Sequence, residues 1–244
     1  MIEKHVDIGG MKTFVVHPER CGPHPVVLFY MDAPGIREEL RDMARRLASV
    51  GYYVMLPNLY HRSGVEELGN FIGEAAAETR KKMFALMGSL NIPLVMEDTD
   101  RLVAFADADP AASNGAIGTL GYCMSGQYAI SAAARFPDRV RASASIYGVR
   151  LKTDAADSPD LAARKARDAE LYVAWAETDH YAPLEELAPF EASLREGGVK
   201  HEVELYRGVE HGFAFPHRPA YDRDAAERHW ERLFALYGRT LRAR

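Results

Sequence analysis

The chain has 244 residues, 48% of them hydrophobic and 27% charged, an ordinary composition for a globular protein and unlike a disordered or low-complexity one. That length is enough to bury one large core, so a single domain over residues 1–244 is expected. A formal net charge of −5 argues against nucleic acid as a partner, because phosphate affinity needs a concentrated excess of Lys and Arg.

The first ten residues, MIEKHVDIGG, lack the basic start and apolar stretch of a secretory signal, and no apolar run approaches the roughly 20 residues of a membrane helix; a cytoplasmic protein with no membrane partner is expected. Gly9-Gly10 between the alternating segments 5–8 and 11–16 predicts an opening hairpin. Residues 26–30 are an uninterrupted apolar run after Pro25, the pattern of a parallel strand covered on both faces, and Met31-Asp32-Ala33-Pro34-Gly35 breaks it. A helix over about 37–49 ends at Gly51, and a strand over 52–56 stops at Pro57; strand, helix, strand in that order implies a parallel sheet. Residues 60–91, with Gly64, Gly69 and Gly73 scattered through them, read as a cap or pocket wall rather than a domain.

A helix over about 93–106 leads through Asn114-Gly115 to a strand over 116–120, which runs directly into Gly121-Tyr122-Cys123-Met124-Ser125-Gly126 and an alanine-rich helix. Three more strands follow over about 142–147, 171–176 and 201–206. A closing helix over about 224–237 carries Ala226, Trp230, Leu233, Phe234 and Tyr237 at three- and four-residue steps, a core-facing stripe. No internal repeat or linker interrupts this order.

The turn at Cys123 has the pattern of a nucleophile elbow, a tight strand-to-helix reversal that projects one side chain into a pocket from a strained backbone. Such a turn needs small residues two places either side. Gly121 and Ser125 meet that need about Cys123, whereas centring it on Ser125 would put Gln127 in the crowded place, so the thiol is the expected nucleophile. The helix start supplies N–H groups and the positive dipole end, with the Met124 N–H the nearest oxyanion donor and the Ala33 N–H, in the loop after the 26–30 strand, the expected second one. An inert buried cysteine is the plainer alternative.

Asp179 follows the strand over 171–176, and His211, in Gly208-Val209-Glu210-His211-Gly212-Phe213, follows the next strand. Nucleophile, acid, histidine, each just past a different strand, is the chain order of an α/β-hydrolase triad, in which His211 takes the thiol proton and Asp179 fixes its tautomer. Alone, Asp179 reads more readily as an N-cap for a helix after Pro183, and His180 competes with His211 for the base role. The two cysteines, Cys21 and Cys123, are too few for a disulfide framework, and the dispersed histidines give no ligand spacing, so neither metal nor cofactor is expected.

Gly121-Tyr122-Cys123-Met124-Ser125-Gly126 resembles the Gly-x-Cys-x-Gly-Gly elbow of the dienelactone hydrolases (carboxymethylenebutenolidases), and Pro57-Asn58-Leu59-Tyr60-His61-Arg62 is similar to their Pro-Asp-Leu-Tyr segment. The resemblance spans nearly the whole chain, with Asp179 and His211 where the family's acid and base fall. It implies an α/β-hydrolase fold, with a mostly parallel central sheet and helices on both faces. It also implies a cofactor-independent hydrolase of a small ester or lactone, as a monomer or small homo-oligomer.

The same resemblance implies a thiol-modulating role for Asp32, at the position of a family glutamate that is one methylene longer. It makes Arg80 and Lys81 candidates for binding a substrate carboxylate, although a solvated helix face is the other reading of such a pair. Where the family has a second basic residue this chain has Phe213-Ala214-Phe215-Pro216, which implies a more apolar pocket with Phe213 and Phe215 among its residues. Tyr147-Gly148 resembles a family pocket segment, making Tyr147 a candidate substrate contact. Two other readings stay open, a non-catalytic small-molecule-binding protein on this fold and a redox-sensing thiol.

Overall fold

Gly9 and Gly10, both at positive φ (62° and 87°), turn strand β1 (Ile2–Ile8) back onto β2 (Met11–His17) as an antiparallel hairpin. The computed structural model describes residues 1–69, 71, 75–166 and 168–241, and the chain divides into two units, Met1–Asn114 and Gly115–Arg244. In the first, β3 (His24–Tyr30) pairs in parallel with β4 (Tyr53–Pro57), and β4 pairs antiparallel with β2. Helix α1 (Glu38–Ser49) joins β3 to β4 and packs on β2 and β4. It buries Leu40, Met43, Ala44 and Leu47 at helical spacing, while Glu38 and Glu39 in its first turn and Arg46 in its last complement the helix dipole.

Part of the irregular 60–91 stretch is a regular helix, α2 (Ala76–Gly88), preceded by a 3₁₀ turn at His61–Ser63. Residues 70 and 72–74, Gly73 among them, lie outside the described residues. Helix α3 (Ile92–Ala108) begins where Asn91 accepts the Leu94 N–H at 2.9 Å, with Pro93 in the first turn. On α3 the fully buried Asp98 takes both guanidinium nitrogens of Arg62 (2.7 and 2.9 Å) and His61 Nε2 (3.2 Å), which ties the start of the stretch down.

Strand β5 (Ala112–Tyr122) begins four residues before the expected 116, and Asn114-Gly115 lies within it. The reversal happens earlier because the Asp109 side chain accepts the Ala111 N–H at 3.0 Å and its carbonyl accepts the Ala112 N–H at 3.0 Å. The division between the units falls inside β5. In the second unit β5, β6 (Val140–Ile146), β7 (Glu170–Thr178) and β8 (Lys200–Glu210) are side by side in that order and parallel throughout.

Four helices accompany those strands: α4 (Gly126–Arg135), α5 (Pro159–Ala163), α6 (Leu187–Glu196) and α7 (Arg223–Thr240). Helix α7, capped by Asp222 accepting the Ala225 N–H at 2.9 Å, packs on β6 and β7 and buries Ala226, Trp230, Leu233 and Tyr237. His229 and Leu236 widen that stripe, whereas Phe234 is half-buried and stacks on Trp230 at 5.5 Å. Among the described residues no helix is long and apolar enough to cross a membrane.

Candidate active site

Strand β5 runs into a 3₁₀ turn at Cys123–Ser125 and then α4, and Cys123 sits at the reversal with φ 55°, left-handed backbone on a non-glycine residue. Such a conformation costs about 1–3 kcal/mol and persists only where the surroundings impose it. Here they do. A Cβ on Gly121 would stand 2.1 Å from the Ser125 carbonyl oxygen, so the turn closes only over glycine.

On the helix side, a Cβ on Gly126 would meet Ser145 Oγ at 2.2 Å, and one on Gly148 would meet the same oxygen at 2.1 Å. The loop after β6 therefore presses against the first turn of α4, and the Val149 N–H donates to the Cys123 carbonyl at 3.1 Å. Cys123 is left partly exposed while Met124 and Ser125 are buried, which places the thiol and not the Ser125 hydroxyl at the surface of the turn.

The acid and the histidine meet because β7 and β8 end in register. Thr178 pairs with Glu210 at the end of the ladder, and the His211 N–H donates to the Thr178 carbonyl at 3.2 Å, so the next residue on each strand faces the other. His211 Nδ1 donates to Asp179 Oδ2 at 2.7 Å. The other carboxylate oxygen accepts the backbone N–H groups of Tyr181 (2.8 Å) and Ala182 (3.0 Å). Asp179 thus shapes its own turn and orients the imidazole rather than capping α6, and His180 is exposed.

With Nδ1 engaged by the carboxylate, the proton-exchanging atom is Nε2, which is buried and without a hydrogen bond of ordinary geometry. Burial pulls the His211 pKa down; the bond to Asp179, and after it the bonding and charge of Cys123, outweigh burial and raise it to about 9. Cys123 is therefore electrostatically coupled to the same imidazole that Asp179 holds. Asp179 and His211 are both nearly enclosed, so their attraction is weakly screened.

Two tyrosines flank the imidazole, Tyr147 with ring centroids 4.8 Å apart and Tyr181 at 5.0 Å. Tyr147, one residue past β6, is buried with φ 39°, and its N–H donates to the Ala174 carbonyl at 2.7 Å. Phe213 and Phe215 are fully buried behind it, with centroids 5.2 and 6.2 Å from the Tyr147 ring; Phe213 also stacks on Tyr206 at 4.9 Å, and the Arg218 guanidinium lies 4.7 Å over Phe215. These two phenylalanines back the wall that carries Tyr147.

The remaining candidates belong to the first unit. Asp32, just past β3, is fully buried with its two carboxylate oxygens at 2.5 and 3.2 Å from the Arg37 guanidinium, which also binds Glu39 at 2.7 and 2.9 Å and the Gly35 carbonyl. Ala33 is buried, its carbonyl accepting the Tyr60 hydroxyl at 2.7 Å. Arg80 and Lys81 are exposed on α2. Sequence reasoning missed Arg37, Tyr181 and Ser145 and named Gly148 only within a resembling segment; only Arg37, five residues after Asp32, carried a readable signal as a cation near a carboxylate. Among the described residues no three His, Cys, Asp or Glu side chains gather as metal ligands.

The sequence profile of the dienelactone hydrolase family matches residues 11–241. A candidate carboxymethylenebutenolidase of Synechocystis sp. is 26% identical over 233 residues, covering 94% of this chain and 92% of that protein. Another, from Methylorubrum extorquens, is 29% identical over 236 residues, covering 94% and 78%. The crystal structure of a candidate dienelactone hydrolase from Klebsiella pneumoniae superposes with a TM-score of 0.84 over 97% of this chain and 98% of that one, at 22% identity, so the two share the α/β-hydrolase fold.

Proposed function

The chain belongs to the dienelactone hydrolase family, and from that premise we propose that it hydrolyses a small carboxylic ester or lactone through a thioester on Cys123. The observation that carries the reading is His211, held by Asp179 through Nδ1 at 2.7 Å and coupled to Cys123 on its other side. In this mechanism the Cys123 sulfur attacks the substrate carbonyl while the one proton it shares with His211 stands on Nε2. The tetrahedral oxyanion takes the Met124 N–H at the helix start, with the aligned amides of α4 behind it. Collapse breaks the ester C–O bond, and the leaving oxygen takes the proton from Nε2.

Water then attacks the thioester carbon and gives a proton to Nε2. The C–S bond breaks, the carboxylic acid departs, and the proton returns to sulfur. Asp179 holds the ring with Nε2 toward the thiol and stabilises the imidazolium. Tyr147 and the phenylalanines behind it keep the acyl side of the site apolar, in keeping with a substrate of low polarity.

Intact-mass analysis during pre-steady-state turnover of an activated aryl ester tests this. Wild type should form a transient acyl adduct on Cys123 that disappears as acid is released, and Cys123→Ala should retain its fold, show no adduct and lose turnover at least about a thousandfold. Unchanged hydrolysis by Cys123→Ala would remove the thiol from the mechanism. Saturable ligand binding with neither adduct nor turnover would make the protein a small-molecule binder instead.

A further inference from the structure

Of the two rings packed on His211, one is enclosed and the other stands in solvent. Tyr147 is 1% exposed, whereas Tyr181 is 59% exposed. The Tyr181 ring lies edge-on to the imidazole, with centroids 5.0 Å apart and planes at 64°. Scattered exposed aromatics are common and carry no message by themselves. Tyr181 differs in being anchored on the proposed catalytic acid.

Its backbone N–H and that of Ala182 both donate to Asp179 Oδ1, and the Ala182 carbonyl accepts the buried Trp175 Nε1–H at 2.9 Å. The short turn carrying Tyr181 is thus fixed at two points to the residue that orients the base and at a third to the buried Trp175. The ring it carries is an apolar surface packed against the imidazole and mostly open to solvent.

Resting on the hydrolase reading above, the geometry points to a specificity role: we infer that Tyr181 is the leaving-group platform of the site, and that it favours esters of aromatic alcohols over esters of saturated ones. The leaving oxygen must come within reach of His211 Nε2 to be protonated. The carbon skeleton attached to that oxygen then lies beside the rings that flank the imidazole, and only Tyr181 of the two offers accessible face and edge. A phenolic leaving group packs on it in an edge-to-face or offset arrangement, a contact a saturated chain makes less well. The bond-making steps are those of the hydrolase mechanism and are unchanged.

The test compares kcat/KM for phenyl acetate with that for the acetate of a fluorinated alkanol of matched acidity, so that intrinsic leaving ability cancels. Wild type should prefer the phenyl ester by about twofold to tenfold, the range an aromatic contact supplies. Tyr181→Ala should lose that preference, its kcat/KM falling further on the phenyl ester than on the alkyl ester, and Tyr181→Phe should keep it. Equal losses on both esters in Tyr181→Ala, or no loss on either, would overturn the platform role, the first because the ring would then only shelter the base. Absence of turnover and of any Cys123 adduct in wild type with both esters would overturn the hydrolase reading and this inference with it. Thermal melts of both variants should match wild type, since the side chain is mostly in solvent.

Discussion

Replacing Asp179 by Asn tests the acid–base pair with little change in shape. The Asn carbonyl oxygen can still accept the Tyr181 and Ala182 N–H groups that Asp179 Oδ1 accepts now, so the turn should survive. The amide nitrogen then faces His211 Nδ1 and can only donate. Nδ1 must become an acceptor, the ring proton moves to Nε2, and the lone pair that should take the thiol proton is gone. In a serine triad the same exchange of carboxylate for amide lowers kcat by about ten-thousandfold, and we expect a loss of about a thousandfold to ten-thousandfold here.

The charge has its own signature. The His211 pKa is raised from 6.5 to about 9, which corresponds to about 3 kcal/mol favouring the imidazolium. Asp179 leads the interactions that raise it, so Asp179→Asn should move the pKa down by at least about one unit. For a base whose folded pKa is raised, the associated stability is fully present below the unfolded value of about 6.5 and is lost as pH rises through about 9. Wild type should therefore lose up to about 3 kcal/mol of unfolding free energy across that window, and the Asn variant less.

Activity should fall as pH rises through about 9, because loss of the proton shared by Cys123 and His211 leaves none for the leaving oxygen. The assay is kcat/KM on an activated aryl ester from about pH 5 to about pH 10, paired with urea unfolding at the same pH values. An Asn variant within tenfold of wild type at neutral pH, with its basic limb unmoved, would refute the pairing as a catalytic device.

Two further predictions concern what holds the site. Gly121→Ala forces a Cβ to 2.1 Å from the Ser125 carbonyl oxygen and 2.4 Å from its carbon, backbone atoms that cannot swing aside, so it should destabilise by about 3 kcal/mol or more and lower Tm by about 6–12 °C. A melt within about 2 °C of wild type would show that the elbow has slack. Arg37→Met leaves the buried Asp32 without its bidentate partner and should cost about 3–5 kcal/mol in urea unfolding, with Asp32→Leu added in the same chain recovering much of it. A single variant as stable as wild type would mean that Asp32 does not depend on Arg37.

The α/β class was legible because its signals are local. Residues 26–30 read as a covered parallel strand, and β3 buries nearly all of its side chains; Gly9-Gly10 read as a hairpin turn, and both residues adopt positive φ. Cys123 could be picked out because an elbow is written in consecutive residues: only the spacing that puts Gly121 two places before it avoids the Ser125 carbonyl. Asp179 and His211 were legible as residues just past successive strands, since parallel strands end on the same side of a sheet.

Local signals also misled where a neighbour outcompeted them. Asn114-Gly115 has turn chemistry, yet Asp109 makes the reversal first and the pair is drawn into β5. Asp179 has cap chemistry, yet its side chain serves its own turn and His211.

By itself, then, the sequence determined the order of elements, the elbow and the residues that follow each strand, because backbone preference and hydrophobic period depend on near neighbours. Only the tertiary structure decided that Arg37 clasps Asp32, that Ser145 lies against both Gly126 and Gly148, and that Tyr147 and Tyr181 flank His211. Except for Arg37 with Asp32 and Ser145 with Gly148, those partners are separated by about twenty residues or more. Whether such side chains meet is set by strand register and by packing to within fractions of an ångström, which no local pattern encodes.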